Sequence, residues 1–513
     1  MTASESEASQ PRRHRGFLLR FLDLVERLGN RLPHPFTLFV LFSILVLVLS
    51  WIAASLELSA THPATRKEIA AVNLLDRQGI QNIITKAVSN FTGFAPLGTV
   101  LVAMIGVGVA ERTGLFSAAL KALVASVPSW LLTAALVFAG INASLAVDAG
   151  YVILIPLGGV LFAGIGRHPI VGLAAAFAGV SAGFSANLFL TAVDPLLAGL
   201  TQEAARLYDP NYTVPVTANY YFMIASTFLL TLVGVWVTAK FVEPRFGVYQ
   251  GGERILERLR PEERRGLVSA GVVLLCEIFL LAIMVVPANG LLRDAKGGFE
   301  PFFQGMVTLM AIGFFLPGLA YGCAARTLQN DRDVGRMVEE TMSTMGSYIA
   351  LAFAASQFVA YFGWSNLGLI LAVTGAAFLQ ASGLSGIPLI ILFIFVCALI
   401  DLFIASASAK WAVIGPVFVP MLMIMGYSPE LTQAAYRIGD SFTNIITPLM
   451  PYMPLVIAFA QKYDPKIGLG TLLATMLPYS VAFAISWTLL LAIWLLLGIP
   501  LGPGAALTYP AVP

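Results

Sequence analysis

Long apolar stretches alternate with short polar segments along almost the whole of this sequence. The longest hold about twenty predominantly apolar residues, the length at which an α-helix crosses about 30 Å of hydrocarbon. The pattern therefore predicts an all-α polytopic membrane protein with nine transmembrane helices. The predicted spans lie near 36–56, 93–123, 170–200, 219–241, 267–289, 303–325, 347–380, 430–460 and 470–499.

Two further apolar stretches, 129–164 and 388–426, do not have the pattern of single spans. Each has a polar interruption in its middle, NASLAVDAG in the first stretch and SASAKW in the second. Irregular chain at membrane depth is tolerated only where protein covers it, because unpaired polar groups are costly in hydrocarbon. We therefore expect two re-entrant hairpins whose tips are buried in protein.

Basic residues are concentrated in alternate loops, as the positive-inside rule predicts for loops on the cytoplasmic side. We expect the N-terminal arm 1–35 and the loop 241–266 to be cytoplasmic, and the C-terminal tail 501–513 to lie outside. The range 36–240 would hold scaffold helices and a first repeat, and 267–500 a second repeat. The first hairpin then enters from the cytoplasm and the second from the outside.

The two hairpin regions match each other when the sequence is shifted by 260 residues. The matched pairs are Pro156 with Pro416, Gly166 with Gly426, Pro169 with Pro429, Gly179 with Gly439, Ser181 with Ser441 and Tyr151 with Trp411. Opposed hairpins in two related halves predict an inverted repeat. This architecture is typical of secondary transporters, whose binding site lies near the midplane between the repeats.

Composition supports a membrane protein and argues against other classes. The 513 residues are 58% hydrophobic and 11% charged, with a mean hydropathy of +0.83, whereas soluble domains carry about 25% charged residues. The net charge of +2 gives no indication of nucleic-acid binding. The four histidines lie in tails and loops and the three cysteines are scattered through apolar segments. We therefore predict neither a metal site nor a cofactor.

Three classes of function are compatible with these features. An ion-gradient-driven carrier is favoured, because a channel does not need paired occluding hairpins and because no nucleotide-binding motif is present to supply energy. A channel is the weaker alternative. An intramembrane enzyme is weaker still, since the sequence offers no paired nucleophile and base.

The segment YRIGDSFTNIITPLMPYMP, residues 436–454, concentrates polar residues and prolines in an apolar neighbourhood. We expect its helix to break around 442–448, because Pro448 lacks a backbone donor and clashes with the preceding turn. The stretch SAGFSAN, residues 181–187, is the matching break in the first repeat. Broken helices expose carbonyl and amide groups that can bind an ion or an anion, so both breaks are candidate sites.

Ionisable and polar side chains at membrane depth are functional candidates, because they are costly there. Arg437 and Asp440 are three residues apart, and we expect them to pair on one helix face. The other candidates occupy the hairpin tips and the helix breaks. They are Asn142, Ser144 and Asp148 in the first hairpin, Ser408, Lys410 and Trp411 in the second, Asn187 and Asp194 at the first break, and Asn444 at the second.

A buried carboxylate among these residues can carry a proton, since burial and nearby charges shift its protonation equilibrium. Moving one charge across 100 mV is worth about 2.3 kcal/mol, so an ion gradient can drive transport. Coupling to protons or to sodium is compatible with these residues.

The run SASAKWAVIGPVFVPMLMIMGYSPELTQAAYRIGDSFTNIITPLMPYMPLV, residues 406–456, resembles the AbgT family of aminobenzoyl-glutamate transporters. The order of arm, spans, opposed hairpins and central loop is similar over nearly the whole chain. The resemblance implies an inner-membrane homodimer that takes a small aromatic anion or sulfonamide as substrate. It also implies uptake of aminobenzoyl-glutamate, export of sulfonamide antimetabolites using the proton gradient, or both.

The family positions implicated in the pathway fall here on Asp194, Ser408, Trp411, Pro429, Arg437, Asp440 and Pro448. The resemblance implies that Trp411 stacks on an aromatic ring and that Arg437 attracts a carboxylate or sulfonyl group. It makes Asp194 and Asp440 candidate proton carriers. Sodium has been placed near the hairpin tips in this family, but the ammonium of Lys410 would repel a cation there. We therefore expect protons to be the coupling ion and leave sodium open. The nearest alternative is a sodium-coupled dicarboxylate or citrate carrier, whose related fold usually has Ser-Asn-Thr clusters at the tips.

Overall fold

The fold is known from a computed structural model, which describes residues 33–61, 66–125, 127–146, 150–247, 249, 259–404 and 406–510. Most of the predicted N-terminal arm lies outside these residues, and so does Asp148. The described chain is predominantly helical. One short antiparallel pair of strands, β1 Ser59–Thr61 and β2 Glu68–Ala70, interrupts the helices.

The helices follow one another with short connections. They are α1 Pro35–Ser55, α2 Arg77–Thr92, α3 Ala95–Arg112, α4 Leu115–Ala125, α5 Leu132–Asn142, α6 Ile155–Gly164, α7 Pro169–Phe177, α8 Val193–Ala205, α9 Tyr220–Val237, α10 Glu243–Phe246, α11 Pro261–Val285, α12 Glu300–Gln304, α13 Met306–Ala325, α14 Asp331–Thr344, α15 Gly346–Trp364, α16 Leu367–Ala381, α17 Gly386–Asp401, α18 Ala407–Ile424, α19 Pro429–Thr443, α20 Met453–Gln461 and α21 Leu469–Leu497. Short 3₁₀ turns lie at Ser129–Leu131 and Ala143–Ala146, and π turns lie at Gly150–Leu154, Ala178–Ala182 and Thr238–Val242.

Seven helical segments of the described chain are long and apolar enough to cross a membrane, or up to eight if the bent pair α14–α15 is one span. The seven are Pro35–Ser55, Arg77–Arg112, Tyr220–Phe246, Pro261–Val285, Met306–Ala325, Ala407–Ile424 and Leu469–Leu497. The predicted polytopic helical membrane fold is therefore confirmed. The number of nine spans and the domain boundaries stay predictions, because much of the remaining apolar chain forms shorter helices.

Besides the two spans predicted to break, 170–200 and 430–460, two ranges predicted as unbroken spans each contain two helices. In 93–123, α3 and α4 are separated at Gly114, which has a φ of 93°. In 347–380, α15 and α16 are separated at Asn366, which has a φ of 60°. Left-handed backbone ends a right-handed helix, and glycine and asparagine are the residues that adopt it most readily. Hydropathy does not show such breaks, because the helices on both sides are apolar.

Both predicted hairpin regions are pairs of helices whose outer ends meet. In the first, Arg167 Nη1, after α6, donates to Thr133 Oγ1, at the start of α5, over 2.8 Å. In the second, the backbone N–H of Gly386, the first residue of α17, donates to the hydroxyl of Tyr427, which follows α18. Each hairpin therefore returns to the side on which it begins.

The two hairpins end at opposite ends of α9. Glu243, beyond the C-terminal end of α9, has its Oε1 2.7 Å from Nε of Arg167 in the first hairpin. The first turn of α9 contacts the C-terminal segment, since Phe222 N–H donates to the carbonyl of Leu501 over 3.1 Å. The same segment reaches the second hairpin, where Ser428 N–H donates to the carbonyl of Leu507 over 3.2 Å. The open ends of the two hairpins therefore lie at opposite ends of α9, as hairpins that enter from opposite sides require.

The turns that follow the hairpins have the same geometry in the two halves. Gly166 and Gly426, which match under the shift of 260, have φ values of 75° and 90°. In each turn the next N–H donates to a carbonyl five residues back, from Arg167 to Phe162 and from Tyr427 to Leu422, both over 2.9 Å. This hydrogen bond and the left-handed residue form a Schellman-type helix end. The inverted repeat stays a prediction, and this local agreement supports it.

The orientation of the chain in the membrane can be tested by cysteine labelling. Ile165 and Asn211 are exposed, in loops predicted inside and outside respectively. In a variant with Cys276, Cys323 and Cys397 replaced by alanine, we expect a membrane-impermeant thiol reagent to label Asn211→Cys in intact cells. Ile165→Cys should react only after permeabilisation. Labelling of both positions in intact cells would contradict opposed hairpins, and the reverse order would contradict a cytoplasmic N-terminus.

Candidate functional site

The candidate site lies where the two helix breaks meet the two hairpin tips. In the first half, Asn187 Nδ2 donates to Ser144 Oγ over 2.6 Å, and Asn142 Oδ1 accepts from the backbone N–H of Leu188 over 3.0 Å. In the second half, Thr447 Oγ1 donates to the carbonyl of Leu402 over 3.1 Å. Each hairpin tip is thus held to the broken helix of its own half.

Both predicted helix breaks are present. Helix α7 passes into the π turn Ala178–Ala182, after which the chain is irregular up to α8. Helix α19 ends at Thr443, and residues 444–452 form turns that contain Pro448. The halves touch here, because Asn444 Nδ2 donates to the carbonyl of Ser181 over 3.4 Å. The breaks allow polar chain from both halves to meet in the protein interior.

A buried ionic cluster joins α17, α18 and α19. The Lys410 ammonium donates to Asp401 Oδ1 and lies 2.6 Å from Asp440 Oδ1. None of the three side chains is more than 2% exposed. Thr443 Oγ1 donates to Asp401 Oδ2 over 2.7 Å, and the Tyr436 hydroxyl lies 3.1 Å from Asp440 Oδ1. We refer to Asp401, Lys410 and Asp440 as the charge cluster.

A second buried ion pair joins α19 to α8. Arg437 Nη1 lies 2.7 Å from Asp194 Oδ1, with 4% and 0% of the two side chains exposed. Asp194 Oδ2 also accepts from the N–H of Thr191 over 2.6 Å and from its hydroxyl over 3.0 Å. Arg437 Nη2 reaches the carbonyl of Ser185 over 3.4 Å. The pair therefore ties the second broken helix to the end of the first.

Several buried polar atoms beside this pair make no hydrogen bond within the part of the chain that the structure describes. They are Ser181 Oγ, Ser185 Oγ, Asn187 Oδ1 and Arg437 Nε. A buried polar atom without a partner is costly and needs an explanation such as a bound ligand, ion or water. The first helix break, lined by a guanidinium and three oxygens, can therefore hold a polar ligand.

Trp411 is wholly buried, so its ring is not accessible to a substrate in this conformation. Its ring stacks on Tyr436 with 4.3 Å between ring centroids and 23° between planes. Its Nε1 donates to Thr201 Oγ1 over 2.8 Å. Thr201 in turn donates to Gln433 Oε1 over 2.6 Å. In this conformation Tyr436 occupies the face that an aromatic substrate would contact.

The hydrogen bonds around Trp411 continue towards the end of α19 at which the second hairpin returns. Gln433 Nε2 donates to Asn219 Oδ1 over 3.0 Å, and Asn219 Nδ2 donates to the carbonyl of Glu430 over 2.9 Å. The carboxylate of Glu430 accepts from the Tyr212 hydroxyl over 2.9 Å. This chain of contacts holds α18, α8 and α19 in one arrangement.

One predicted contact is wrong. Arg437 and Asp440 do not pair with each other, because each has a partner on another helix: Asp194 for the arginine and Lys410 for the aspartate. Charges three residues apart on a helix gain only about 0.2–0.5 kcal/mol from pairing, so buried partners across helix interfaces prevail. Lys410 is also not an isolated ammonium, since two carboxylates surround it.

The other predicted residues lie around the same region. Ser408 is half-buried at the start of α18, with its Oγ 3.5 Å from Ser406 Oγ. Pro429 is the first residue of α19, where a missing N–H costs nothing, and the preceding Ser428 side chain caps the helix by accepting from Leu431 N–H. The roles predicted for these residues stay predictions.

Asp401, the third member of the charge cluster, is not among the residues predicted from the sequence. It closes the apolar run GIPLIILFIFVCALID, in which it is the one charged residue, and its side chain is 0% exposed. Because a charged group within the membrane is costly, a single carboxylate at the end of such a run indicates a candidate functional residue. Thr201, Gln433 and Tyr436 were also missed, since threonine, glutamine and tyrosine carry no comparable sequence signal.

Two cavities flank the site. One of about 480 Å³ lies between α3, α8 and α14, and is lined among others by Arg112, Val193 and Thr341. The other, of about 570 Å³, is almost entirely apolar and is lined among others by Phe189 and Phe314. Val193 is the first residue of α8 and Phe189 lies four residues before it, so the chain next to Asp194 lines both cavities. Among the described residues, no group of three or more His, Cys, Asp or Glu side chains could hold a metal ion.

Known proteins resemble this chain over nearly its whole length. The model of the AbgT putative transporter family matches residues 20–509. A p-aminobenzoyl-glutamate transport protein of Escherichia coli (strain K12) is 40% identical over 484 residues, which are 94% of this chain and 95% of that protein. The match therefore covers both hairpin regions and the helices around them.

Solved structures with the same architecture come from two other bacteria. The Alcanivorax borkumensis YdaH transporter is 47% identical, with a TM-score of 0.88 and coverage of 92% of this chain and 100% of that one. Neisseria gonorrhoeae MtrF, described as illuminating a class of antimetabolite efflux pumps, is 50% identical, with a TM-score of 0.90 and coverage of 95% and 100%. At this identity the likeness extends beyond the fold to the family.

Proposed function

The chain belongs to the AbgT putative transporter family, and from this premise we propose that it moves aminobenzoyl-glutamate, sulfonamide antimetabolites or both by proton-coupled transport. It is a multi-pass membrane transporter, and its relatives are transporters rather than enzymes. The proposal adds the substrate, the coupling ion and the direction, with efflux favoured. It also places the protein as a homodimer in the bacterial inner membrane with a cytoplasmic N-terminus.

The observation that carries the proposal is the set of unpaired buried polar atoms beside the Arg437–Asp194 pair. The Arg437 Nε–H and the hydroxyls of Ser181 and Ser185 can donate to a carboxylate or sulfonyl group of a substrate, whereas Asn187 Oδ1 can only accept, for example from a substrate N–H. The site lies between two helix breaks, where transporters of this architecture bind their substrates. Arg437 would contact the acidic end of the substrate.

The substrates are supported by the relatives. The E. coli protein is described as a p-aminobenzoyl-glutamate transport protein, and MtrF is linked to antimetabolite efflux. Aminobenzoyl-glutamate and sulfonamides both carry an aminophenyl ring with a polar group opposite the amine. The aromatic pair Trp411–Tyr436 would offer a stacking surface to this ring if the second hairpin moves.

The alternative is sodium coupling, as in a dicarboxylate or citrate carrier. Ser181 Oγ, Ser185 Oγ and Asn187 Oδ1 favour it, because unpaired oxygens at an unwound helix are typical ligands of sodium in transporters. Protons are preferred because the charge cluster places two carboxylates in the protein interior. Asp440 and Asp194 are the proposed proton carriers.

Transport by purified protein in proteoliposomes tests the proposal. We expect an imposed proton gradient to drive labelled aminobenzoyl-glutamate or a labelled sulfonamide against its concentration gradient, and a protonophore to abolish this. Protein-free liposomes and a sodium gradient alone are the controls. Accumulation driven by sodium alone, with competition by citrate, would instead establish the alternative carrier.

A further inference from the structure

The charge cluster contains an odd number of charges. Asp401 and Asp440 supply two carboxylates and Lys410 one ammonium, and their side chains are 0%, 2% and 0% exposed. With all three ionised, the cluster would hold one uncompensated negative charge in the protein interior. Such a charge is costly, and buried groups avoid it by pairing or by taking up a proton.

Among the described residues, the groups around the cluster do not supply the missing positive charge. On α19, Arg437 has its own buried partner in Asp194, and the Tyr436 phenol faces Asp440. On α17, the side chain of Cys397 lies with its Cβ against Gly439, next to Asp440. Phenols and thiols are neutral near pH 7 in water. A proton on one of the two carboxylates therefore balances the cluster.

The two ion pairs of Lys410 differ in what they connect. Asp401 is the last residue of α17 and Lys410 lies in the first turn of α18, so their pair lies within the second hairpin. Asp440 belongs to α19, so the pair of Lys410 with Asp440 ties the hairpin to the broken helix. A proton on Asp440 would leave Lys410 paired with Asp401 and weaken the tie to α19. A proton on Asp401 would strengthen that tie.

We infer that Asp401 and Asp440 share one exchangeable proton across Lys410, and that Asp401 is a second coupling residue of the transporter. The proton enters from water on one side and leaves on the other, and its position decides which ion pair holds the hairpin. The inference rests on the proposed proton coupling and adds the residue with which Asp440 shares the proton.

Changing the number of charges in the cluster distinguishes a shared proton from a purely structural role of Asp401. Asp401→Asn leaves Lys410 and Asp440 as a balanced pair that needs no proton. We expect this variant to retain exchange of labelled for unlabelled substrate in proteoliposomes but to lose proton-driven accumulation. The double variant Asp401→Asn with Lys410→Met leaves Asp440 alone, which again needs a proton when buried. Proton-driven accumulation should return in the double variant.

Glu277→Gln is the matched control, because it removes an apolar-span carboxylate on α11 that lies outside the cluster. It should retain proton-driven accumulation. Wild-type accumulation by Asp401→Asn, or a double variant that exchanges substrate without recovering accumulation, would overturn the inference while leaving proton-coupled transport intact. A wild-type protein driven by sodium alone would instead contradict the proposed function.

Infrared difference spectroscopy can detect the shared proton in the wild-type protein, so the inference can be tested even if a transport variant does not fold. At neutral pH, wild-type protein should show a carbonyl band from one protonated carboxylic acid of the charge cluster. Exchange into heavy water should shift this band. Asp440→Asn or Asp401→Asn should remove this band, whereas Glu277→Gln should leave it unchanged and remove only a contribution of its own. Absence of a protonated acid at Asp401 and Asp440 in wild-type protein, with or without sodium, would overturn the inference.

Discussion

Arg437→Ala is expected to cause the largest loss of stability of any single change at the site. The substitution leaves Asp194 as a buried carboxylate without its cationic partner, since the two side chains are 4% and 0% exposed and 2.7 Å apart. Removing one partner of a buried ion pair costs about 3–5 kcal/mol. The apparent melting temperature of the purified protein in detergent measures this loss.

The double variant Arg437→Gln with Asp194→Asn separates stability from binding. It removes both charges, so much of the stability should return, because no uncompensated buried charge remains. Binding of aminobenzoyl-glutamate should stay lost, since the guanidinium that contacts its acidic end is absent. A double variant that binds substrate like the wild type would place the anion site elsewhere. Wild-type stability of Arg437→Ala would show that Asp194 is not buried as an ion.

Trp411→Ala is expected to have the second largest effect. The indole is wholly buried and stacked on Tyr436, so its removal leaves a large cavity beside the charge cluster. Truncation of a buried tryptophan costs about 3–5 kcal/mol. Thr201 also loses the hydrogen bond that it accepts from Nε1. We expect a lower melting temperature and weaker binding of aromatic substrates.

Trp411→Phe is the matched control for the ring. It keeps an aromatic face against Tyr436 but loses the bond to Thr201, which is worth about 0.5–1.5 kcal/mol. If Trp411 stacks on the substrate during transport, Phe should preserve most of the affinity for an aromatic substrate that Ala loses. Calorimetric titration of folded variants measures this. Equal affinity of the alanine and wild-type proteins would make Trp411 a packing residue of the hairpin alone.

The sequence by itself determined the class of molecule and much of its local geometry. Hydropathy predicted a polytopic helical membrane protein, and the helices of the structure confirm it. Gly166 and Gly426 were matched by a simple shift, and both adopt left-handed backbone after a hairpin. Pro448 predicted the end of α19. Hydropathy, backbone freedom and proline sterics are properties of single residues and their neighbours, so the sequence displays them directly.

Only the tertiary structure decided which charges meet. Arg437 has a partner 243 residues away along the chain, and Lys410 is shared by carboxylates of two different helices. Proximity along the sequence suggested the pair Arg437–Asp440 instead. Burial makes an ion pair strong only where helices pack, because water is excluded there and the remaining hydrogen bonds are satisfied. The partners of Arg437 and Lys410 are therefore set by how the helices pack, which cannot be inferred from any single segment of the sequence.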